Sequence, residues 1–183
     1  CVDLCENKEC GPDGFGGSCG TCEEGVECCN GRCACPTWQD PTTGIIWQNP
    51  AADEIMNRDE ALDYCEGLEL DGATDWELPS IDLLRTLVRG CPNTTWPDGI
   101  CAVAENQCLL LSCFDISCAC EFLEGPSNGC YWPIDMLGDC SLFTWSSSEV
   151  EDVETKEWIS IYSSASISYI SLSNYGVVRC IRQ

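Results

Sequence analysis

The fold is decided by residues 57–90, which read NRDEALDYCEGLELDGATDWELPSIDLLRTLVRG. Asn57 can cap a helix, and Glu60 completes a capping box three residues later. The pair Asp71-Gly72 ends this first helix, because both residues favour turns. Leu78 precedes a proline and is therefore expected to be extended. The stretch thus predicts a helix, a short strand and then a second helix.

The second helix is predicted to begin at Ser80, which can cap it, and to stop at Gly90. Leucine and valine recur at helical spacing on its buried face, while Arg85 and Arg89 are expected on the face toward water. Two short amphipathic helices cannot bury their apolar faces alone. They need a sheet, and the residues from 143 onward supply one.

From Phe143 onward the sequence reads as strands separated by turns, with apolar and polar side chains alternating over Trp158 to Tyr162. This pattern predicts an antiparallel meander that ends with a strand over 176–181. Serine is expected on the face of this sheet toward water, and an exposed edge strand can pair with another chain. An earlier strand is predicted over 44–47 because its residues are β-branched or aromatic. The predicted fold class is α+β.

The composition of the chain restricts both its location and its partners. The 183 residues include 19 cysteines, no histidine, and 31 acidic against 8 basic residues. This cysteine content is typical of an oxidising compartment, so we expect an extracellular or bacterial outer-surface location. The net charge of −23 argues against nucleic acid, anionic lipid headgroups and sulfated polysaccharides as partners. The sequence has neither a transmembrane-length apolar run nor a signal peptide, and a mature chain is therefore expected.

The absence of histidine also restricts the chemistry. It removes Ser-His-Asp and Cys-His catalysis, histidine-ligated zinc and c-type haem, which requires a histidine after its cysteine pair. We therefore expect no cofactor, with calcium as the one ion left open.

Cysteine spacing divides the chain into a small disulfide-rich module, residues 1–36, and a main domain, residues 37–183. The module resembles cystine-knot miniproteins and a cysteine-glycine repeat of secreted bacterial proteins. The main domain contains a cysteine-rich insertion at 91–140, whose eight cysteines can form four local bridges. Residues 1–35 hold an odd number of cysteines, which leaves Cys1 as the candidate without a partner. Cys1 can carry lipid, as the first residue of a lipoprotein, or can pair elsewhere or with a neighbouring chain.

Three aromatic residues of the insertion are candidate ligand-binding residues. If Trp96, Tyr131 and Trp132 are exposed, they can stack on the apolar faces of sugar rings. The alternative is that they fill the interior of a loop that is poor in aliphatic residues.

An acidic turn is the candidate calcium site. Its carboxylates, from Glu149, Glu151, Asp152 and Glu154, can supply some of the six to eight oxygens that calcium requires. Their spacing matches no known calcium-binding loop, and a solvated acidic turn is the alternative.

Several motifs occur in a fixed order along residues 44–183. They are Trp47 in the opening strand, Ala61 to Cys65 in the first helix, Trp76-Glu77-Leu78-Pro79-Ser80 followed by Leu83 and Leu84, Trp145-Ser146-Ser147-Ser148, Trp158, and Val178-Arg179-Cys180-Ile181-Arg182. In this order and spacing they resemble the domain first described at the C-terminus of a Legionella collagen-like adhesin. That family in turn resembles the C-type lectin-like fold.

The resemblance implies a C-type lectin-like domain over residues 37–183, with a disulfide from the first helix to the last strand. In this chain the implied pair is Cys65 and Cys180. The calcium-dependent sugar site of C-type lectins has no counterpart, because Cys91-Pro92-Asn93 and Trp96-Pro97-Asp98 do not provide its ligands. The attraction of the Legionella protein to sulfated glycans is not expected here, since this chain is strongly acidic.

These observations predict a non-enzymatic extracellular or cell-surface module for adhesion or for self-assembly into an extracellular structure. Its expected partner is a second copy of itself, in a homo-oligomer or filament, or another surface protein or a glycan. The first alternative is a carbohydrate-binding lectin-like domain. The second is a metal-dependent oxidase of the formylglycine-generating type, which would require a free pair of thiols.

Overall fold

A computed structural model gives the structure of the chain and describes residues 10, 17–22, 28, 29, 32, 33 and 35–183. The fold is α+β, as predicted, and two three-stranded antiparallel sheets make up most of its regular structure. The strands are β1 (Cys28–Cys29), β2 (Arg32–Cys33), β3 (Thr37–Gln39), β4 (Ile46–Gln48), β5 (Thr144–Glu149), β6 (Lys156–Ile161), β7 (Ser166–Ser171) and β8 (Ile181–Arg182). The helices are α1 (Arg58–Glu66) and α2 (Ile81–Thr86), with a short 3-10 turn at Leu111–Cys113.

Both helices begin where the sequence predicts. The Asn57 side chain accepts from the amides of the first turn of α1, and the Glu60 carboxylate accepts from the Asn57 amide in return, which forms the capping box. Ser80 caps α2 by accepting from the Leu83 amide. Helix α2 ends at Thr86, earlier than the predicted stop at Gly90. Gly90 instead has a φ of +79°, a conformation that favours glycine, so the chain turns there toward the insertion.

The last strand does not continue the meander. Strands β5, β6 and β7 pair in order, but the segment after β7 runs beside the start of β5, where the Trp145 amide donates to the Val177 carbonyl over 3.1 Å. Strand β8 then joins the other sheet, in the order β3-β4-β8. The prediction of a fourth meander strand at 176–181 is therefore wrong, because the backbone of Ile181 pairs with Trp47 and Glu77.

Both faces of the β5-β6-β7 sheet are buried. Trp158 and Tyr162 pack with α2 and the insertion on one face, while Trp145 and Ile159 pack with α1 on the other. Ser160 shares a face with Trp158 and is fully buried. The expectation that serine faces water is wrong at this position, because the insertion and α2 cover that face of the sheet.

Arg85 lies in the interior, although the sequence predicts it on the face of α2 toward water. Its side chain is completely buried. The guanidinium donates to the carbonyl of Thr94 over 2.9 Å and to that of Val103 over 2.5 Å, and it lies 4.9 Å from the ring centre of Trp96. The insertion passes over α2 and turns these carbonyls toward the guanidinium, which is why the helical pattern misplaces this residue.

Arg179 is a second buried arginine, just before β8. It donates to the carbonyls of Gln48 and Leu137, each over 2.7 Å, and so joins β4 to the end of the insertion. Burial lowers the pKa of Arg179 to about 10, so the side chain is charged at neutral pH. In the described residues the guanidinium makes no ion pair with a carboxylate, and carbonyl oxygens satisfy it instead.

The insertion is held by disulfides and has almost no regular structure. All eight of its cysteines pair locally, as predicted, in the bridges Cys91–Cys120, Cys101–Cys118, Cys108–Cys113 and Cys130–Cys140. Because long irregular loops lose much conformational entropy on folding, such cross-links favour a single conformation of the loop.

Most of the predicted N-terminal module lies outside the described residues, and so does Cys1 with its predicted lipid. Within the described part, Cys10, Cys19, Cys22 and Cys35 are all disulfide-bonded, and β1 pairs with β2. No helix among the described residues is long and apolar enough to cross a membrane.

Replacing Arg179 by methionine is expected to lower the free energy of unfolding by about 3 kcal/mol, because buried carbonyls lose their donors. Urea unfolding at neutral pH measures this loss. The control is Arg182→Met, which removes the solvent-accessible ion pair between Arg182 and Asp75 at 2.7 Å and should cost much less. Equal losses in the two variants would show that Arg179 has no special structural role.

Removing the Cys65–Cys180 disulfide with two alanines should cost about 5 kcal/mol in the chain-entropy model, since it closes a separation of 115 residues. Removing Cys108–Cys113, which spans a separation of 5, should cost only about 2 kcal/mol. Urea unfolding of both double variants, with the other bridges intact, gives the comparison. A larger loss for the short bridge would contradict the entropic account.

Candidate functional site

Two of the three predicted sugar-stacking residues belong to the core. Tyr131 and Trp132 are 3% and 4% exposed, and the Trp132 ring packs against Tyr162 with 5.5 Å between ring centres. The prediction of an exposed aromatic platform is therefore wrong for this pair, because the rings fill the space between the insertion and the sheet. Trp96 is half-buried beneath Arg85, and the three side chains do not share an exposed surface.

The carboxylates of the acidic turn do not converge. Glu149 faces Arg58 at 3.4 Å, and Asp152 accepts from the Leu111 amide over 2.7 Å. Glu151 and Glu154 are exposed. Across the part of the chain that the structure describes, no three acidic or cysteine side chains are grouped so that they could hold a metal ion. The predicted calcium site is therefore not assembled at this turn, since two of its members have other partners.

The structure contains the disulfide that the resemblance implies. Cys65 and Cys180 are both fully buried, and their Cα atoms are 5.5 Å apart. The bridge joins the last turn of α1 to the residue before β8, in the core on the α1 side of the sheet.

An open cleft of about 830 Å³ lies between the insertion and the β6–β7 turn. The segment of the insertion that forms its wall is docked on the sheet, because the Cys120 amide donates to the Ser164 carbonyl over 2.8 Å and the Leu123 amide donates to the Ser163 carbonyl. The bridges Cys91–Cys120 and Cys101–Cys118 hold the same segment from the other side.

Tyr131 forms part of the cleft lining, and its hydroxyl donates to the Glu121 carbonyl over 2.8 Å. Burial raises the pKa of Tyr131, so the hydroxyl stays protonated and keeps donating. Ile116, Glu121 and Glu124 line the cleft toward solvent.

Large apolar side chains of the insertion are exposed, one of them in the cleft lining and two between the lining residues Glu121 and Glu124 in the sequence. Ile116 is 80% exposed, Phe122 64% and Leu123 49%. We call these three residues, with Glu121 and Glu124, the insertion face. Sequence reasoning did not identify it, because its apolar residues follow neither a helical nor a strand period. The sequence feature that could have indicated this face is the charge of the insertion. Residues 91–140 include no lysine or arginine but seven acidic residues: Asp98, Glu105, Asp115, Glu121, Glu124, Asp135 and Asp139.

A buried carboxyl outside the cleft has a strongly raised pKa. Glu157 is 1% exposed in β6, and burial raises its pKa to about 7 although Arg58 lies 3.3 Å away. Arg58 opposes the shift, while the negative charges of Glu149 and Asp59 add to it. Arg58 is the first residue of α1, so its ion pair with Glu157 joins that helix to β6.

The described domain is α+β and rich in disulfides, a class that is typical of extracellular or surface modules. The chain belongs to the Lcl C-terminal domain family, whose match covers residues 36–182. Membership in this family indicates a surface adhesin-like module. A comparison with curated proteins finds no match to this chain.

We predict that Glu157→Gln removes a pH dependence of stability. The folded-state pKa of about 7 exceeds the unfolded value of 4.5, so this group stabilises the wild type below pH 4.5 and loses that contribution as pH rises through 7. The free energy of unfolding of the variant, minus that of the wild type, should therefore rise by about 1–2 kcal/mol from pH 5 to pH 8, after allowance for solvent screening.

Urea unfolding at both pH values measures this change. The matched control is Glu149→Gln, an exposed carboxylate that faces the same arginine and should change the pH dependence far less. Parallel pH profiles for wild type and Glu157→Gln would contradict the assignment.

Proposed function

We propose that this domain is a non-enzymatic module for adhesion at an extracellular or cell surface, and that it binds through the insertion face. The observation that carries the proposal is the exposure of Ile116, Phe122 and Leu123 on a loop that four disulfides hold. Exposed apolar patches of this kind mark interaction sites in soluble proteins.

The rigidity of the insertion supports a binding role. A flexible loop would lose conformational entropy when a partner orders it, and this loss would subtract from affinity. Here the cross-links and the hydrogen bonds to Ser163 and Ser164 fix the loop before any partner arrives. Most of the ordering cost therefore falls on folding rather than on binding.

The lining of the cleft supports a non-enzymatic role. Ser164 and Ser166 contribute hydroxyl groups, whose oxygens lie 2.9 Å apart and contact each other. The lining residues include no basic side chain that could activate either hydroxyl. A serine nucleophile needs an adjacent general base, and the chain contains no histidine to supply one.

Self-assembly is a second candidate, and the edge strand β7 favours it. Most of β7 is half-buried, and β6 is its only strand neighbour in its sheet as the structure describes it. A second copy could add to this edge. Net charge weighs against this route, because two chains of −23 repel each other at short range.

Sugar binding and oxidase activity have less support than adhesion. Two of the three aromatic residues considered for sugar binding are buried in the core, which weakens the support for a lectin role. An oxidase of the formylglycine-generating type needs a free thiol pair, while the ten cysteines from Cys65 to Cys180 are all in disulfides. The C-type lectin-like arrangement of two helices and a closing sheet remains our interpretation of the fold. Lipid attachment at Cys1 remains a proposal of the same kind.

To test this proposal, the full chain is displayed on the surface of bacteria that do not adhere by themselves. Retention under flow is measured on polystyrene, on a polysaccharide film and on a film of extracellular matrix proteins. We expect at least one surface to retain the displaying cells about tenfold better than cells without the chain, because many copies act together. Ile116→Ser with Phe122→Ser should abolish most of this gain.

The matched control is Ile55→Ser with Tyr175→Ser, a pair that is also exposed, at 50% and 55%, but lies outside the insertion. This control should adhere like the wild type. Cell clumping without retention would indicate self-assembly instead. Absence of both retention and clumping on all surfaces would overturn the proposed function.

A further inference from the structure

We propose that the insertion face docks a cationic, partly apolar polypeptide segment from another protein. This inference rests on the proposed function and names the chemistry of its partner. It follows from three observations: the charge of the insertion, the internal contacts of the six basic side chains in residues 35–183, and the position of apolar side chains next to acidic ones.

The first observation is that the cleft is negatively charged and lacks a compensating cation. Glu121 and Glu124 line it and are exposed, and its lining includes no basic residue. Asp115 lies next to it, and the hydrogen bond from the Ser117 amide lowers the pKa of Asp115, so this carboxylate is ionised at neutral pH. The local field therefore attracts positive charge.

The second observation is that the basic residues of the main domain are already occupied. Residues 35–183 contain six of them, and each has a contact within the chain. Arg58, Arg89 and Arg182 form ion pairs, Arg85 and Arg179 are buried against carbonyls, and the Lys156 ammonium lies 4.1 Å from the ring centre of Tyr169. None of these six side chains lines the cleft, so within residues 35–183 no cation complements its charge.

The third observation selects a polypeptide as the partner. Ile116 follows Asp115, and Phe122 and Leu123 lie between Glu121 and Glu124, so acidic and apolar groups alternate over short distances. A simple metal ion or polyamine would satisfy the carboxylates but leave the apolar side chains exposed. A chain that carries lysine or arginine next to apolar side chains can contact both.

A second copy of this chain does not fit the same surface. Its net charge is also −23, and its main-domain basic residues have the contacts described above. Charge complementarity thus favours a different protein. Because the net charge of the whole chain attracts any cation to some extent, the test must separate this face from general electrostatic attraction.

The experiment measures binding of a short synthetic peptide of alternating lysine and leucine to the full, disulfide-bonded chain by calorimetry. We expect a Kd on the order of 10 µM. A lysine-serine peptide tests charge alone, and a glutamate-leucine peptide tests apolar contact alone. Both should bind at least about tenfold more weakly, because one lacks the apolar contacts and the other lacks the charge contacts.

Two double variants with the same change in net charge localise the binding. Glu121→Gln with Glu124→Gln should raise the Kd of the lysine-leucine peptide about tenfold. Glu66→Gln with Glu69→Gln, two exposed carboxylates that do not line the cleft, should raise it less than about twofold. Ile116→Ser should weaken the lysine-leucine peptide but leave the residual binding of the lysine-serine peptide unchanged.

Equal effects of the two glutamine pairs would overturn the inference, since binding would then follow net charge alone. Equal affinity for the lysine-serine peptide would overturn it too, because the apolar contact would be unused. Adhesion under flow without peptide binding would contradict only the partner chemistry. Specific peptide binding without adhesion on any surface would contradict only the adhesive function.

Discussion

The structure depends on how the insertion satisfies its backbone while it covers a sheet. Residues 91–140 bury one face of β5-β6-β7, yet the only helix assigned within them as the structure describes them is the turn Leu111–Cys113. Buried carbonyls in such a segment are not paired by a helix or a sheet ladder, so they need other donors. Arg85 and Arg179 supply them, one from α2 and one from the segment before β8. A buried guanidinium is costly unless acceptors surround it, so each arginine and its carbonyls depend on one another. In the described residues the Nη2 atom of Arg85 is left without a hydrogen-bond partner.

This constraint divides the side chains of the insertion into two sets. Trp132 and Tyr131 point inward and fill the space above Tyr162, while Ile116 and Phe122 point outward to solvent. The disulfides help to hold this division, because they cross-link the loop in addition to the apolar side chains that it buries, such as Leu109 and Met136. An ordinary loop of this length would need its large apolar residues for a core of its own. Here four disulfides cross-link the loop, and Ile116 and Phe122 stay exposed.

The sequence predicted those parts of the fold that depend on near neighbours. The capping box at Asn57 and the cap at Ser80 are local, and the structure has both. The eight cysteines of the insertion pair within it for a similar reason, since short loops close easily. The motif order alone led to the family.

Sequence patterns failed where a distant segment decides the environment of a residue. Arg85 has the spacing of an exposed helical position, and only the return of the insertion over α2 buries it. The same cover buries Tyr131 and Trp132, which a loop-based interpretation places in water. The insertion face was missed for the converse reason, because no periodicity distinguishes an exposed Phe122 from a buried aromatic residue.

The acidity of the chain connects its solubility to its selectivity. An exposed apolar face promotes self-association, and a net charge of −23 opposes it by keeping copies apart. Salt weakens this repulsion and also weakens attraction to a cationic partner, since both act over the screening length of about 8 Å at physiological ionic strength. Contacts with Ile116 and Phe122 are not screened in this way. For the proposed cationic partner, selectivity would therefore reside in the apolar positions, while charge would set the rate and direction of approach.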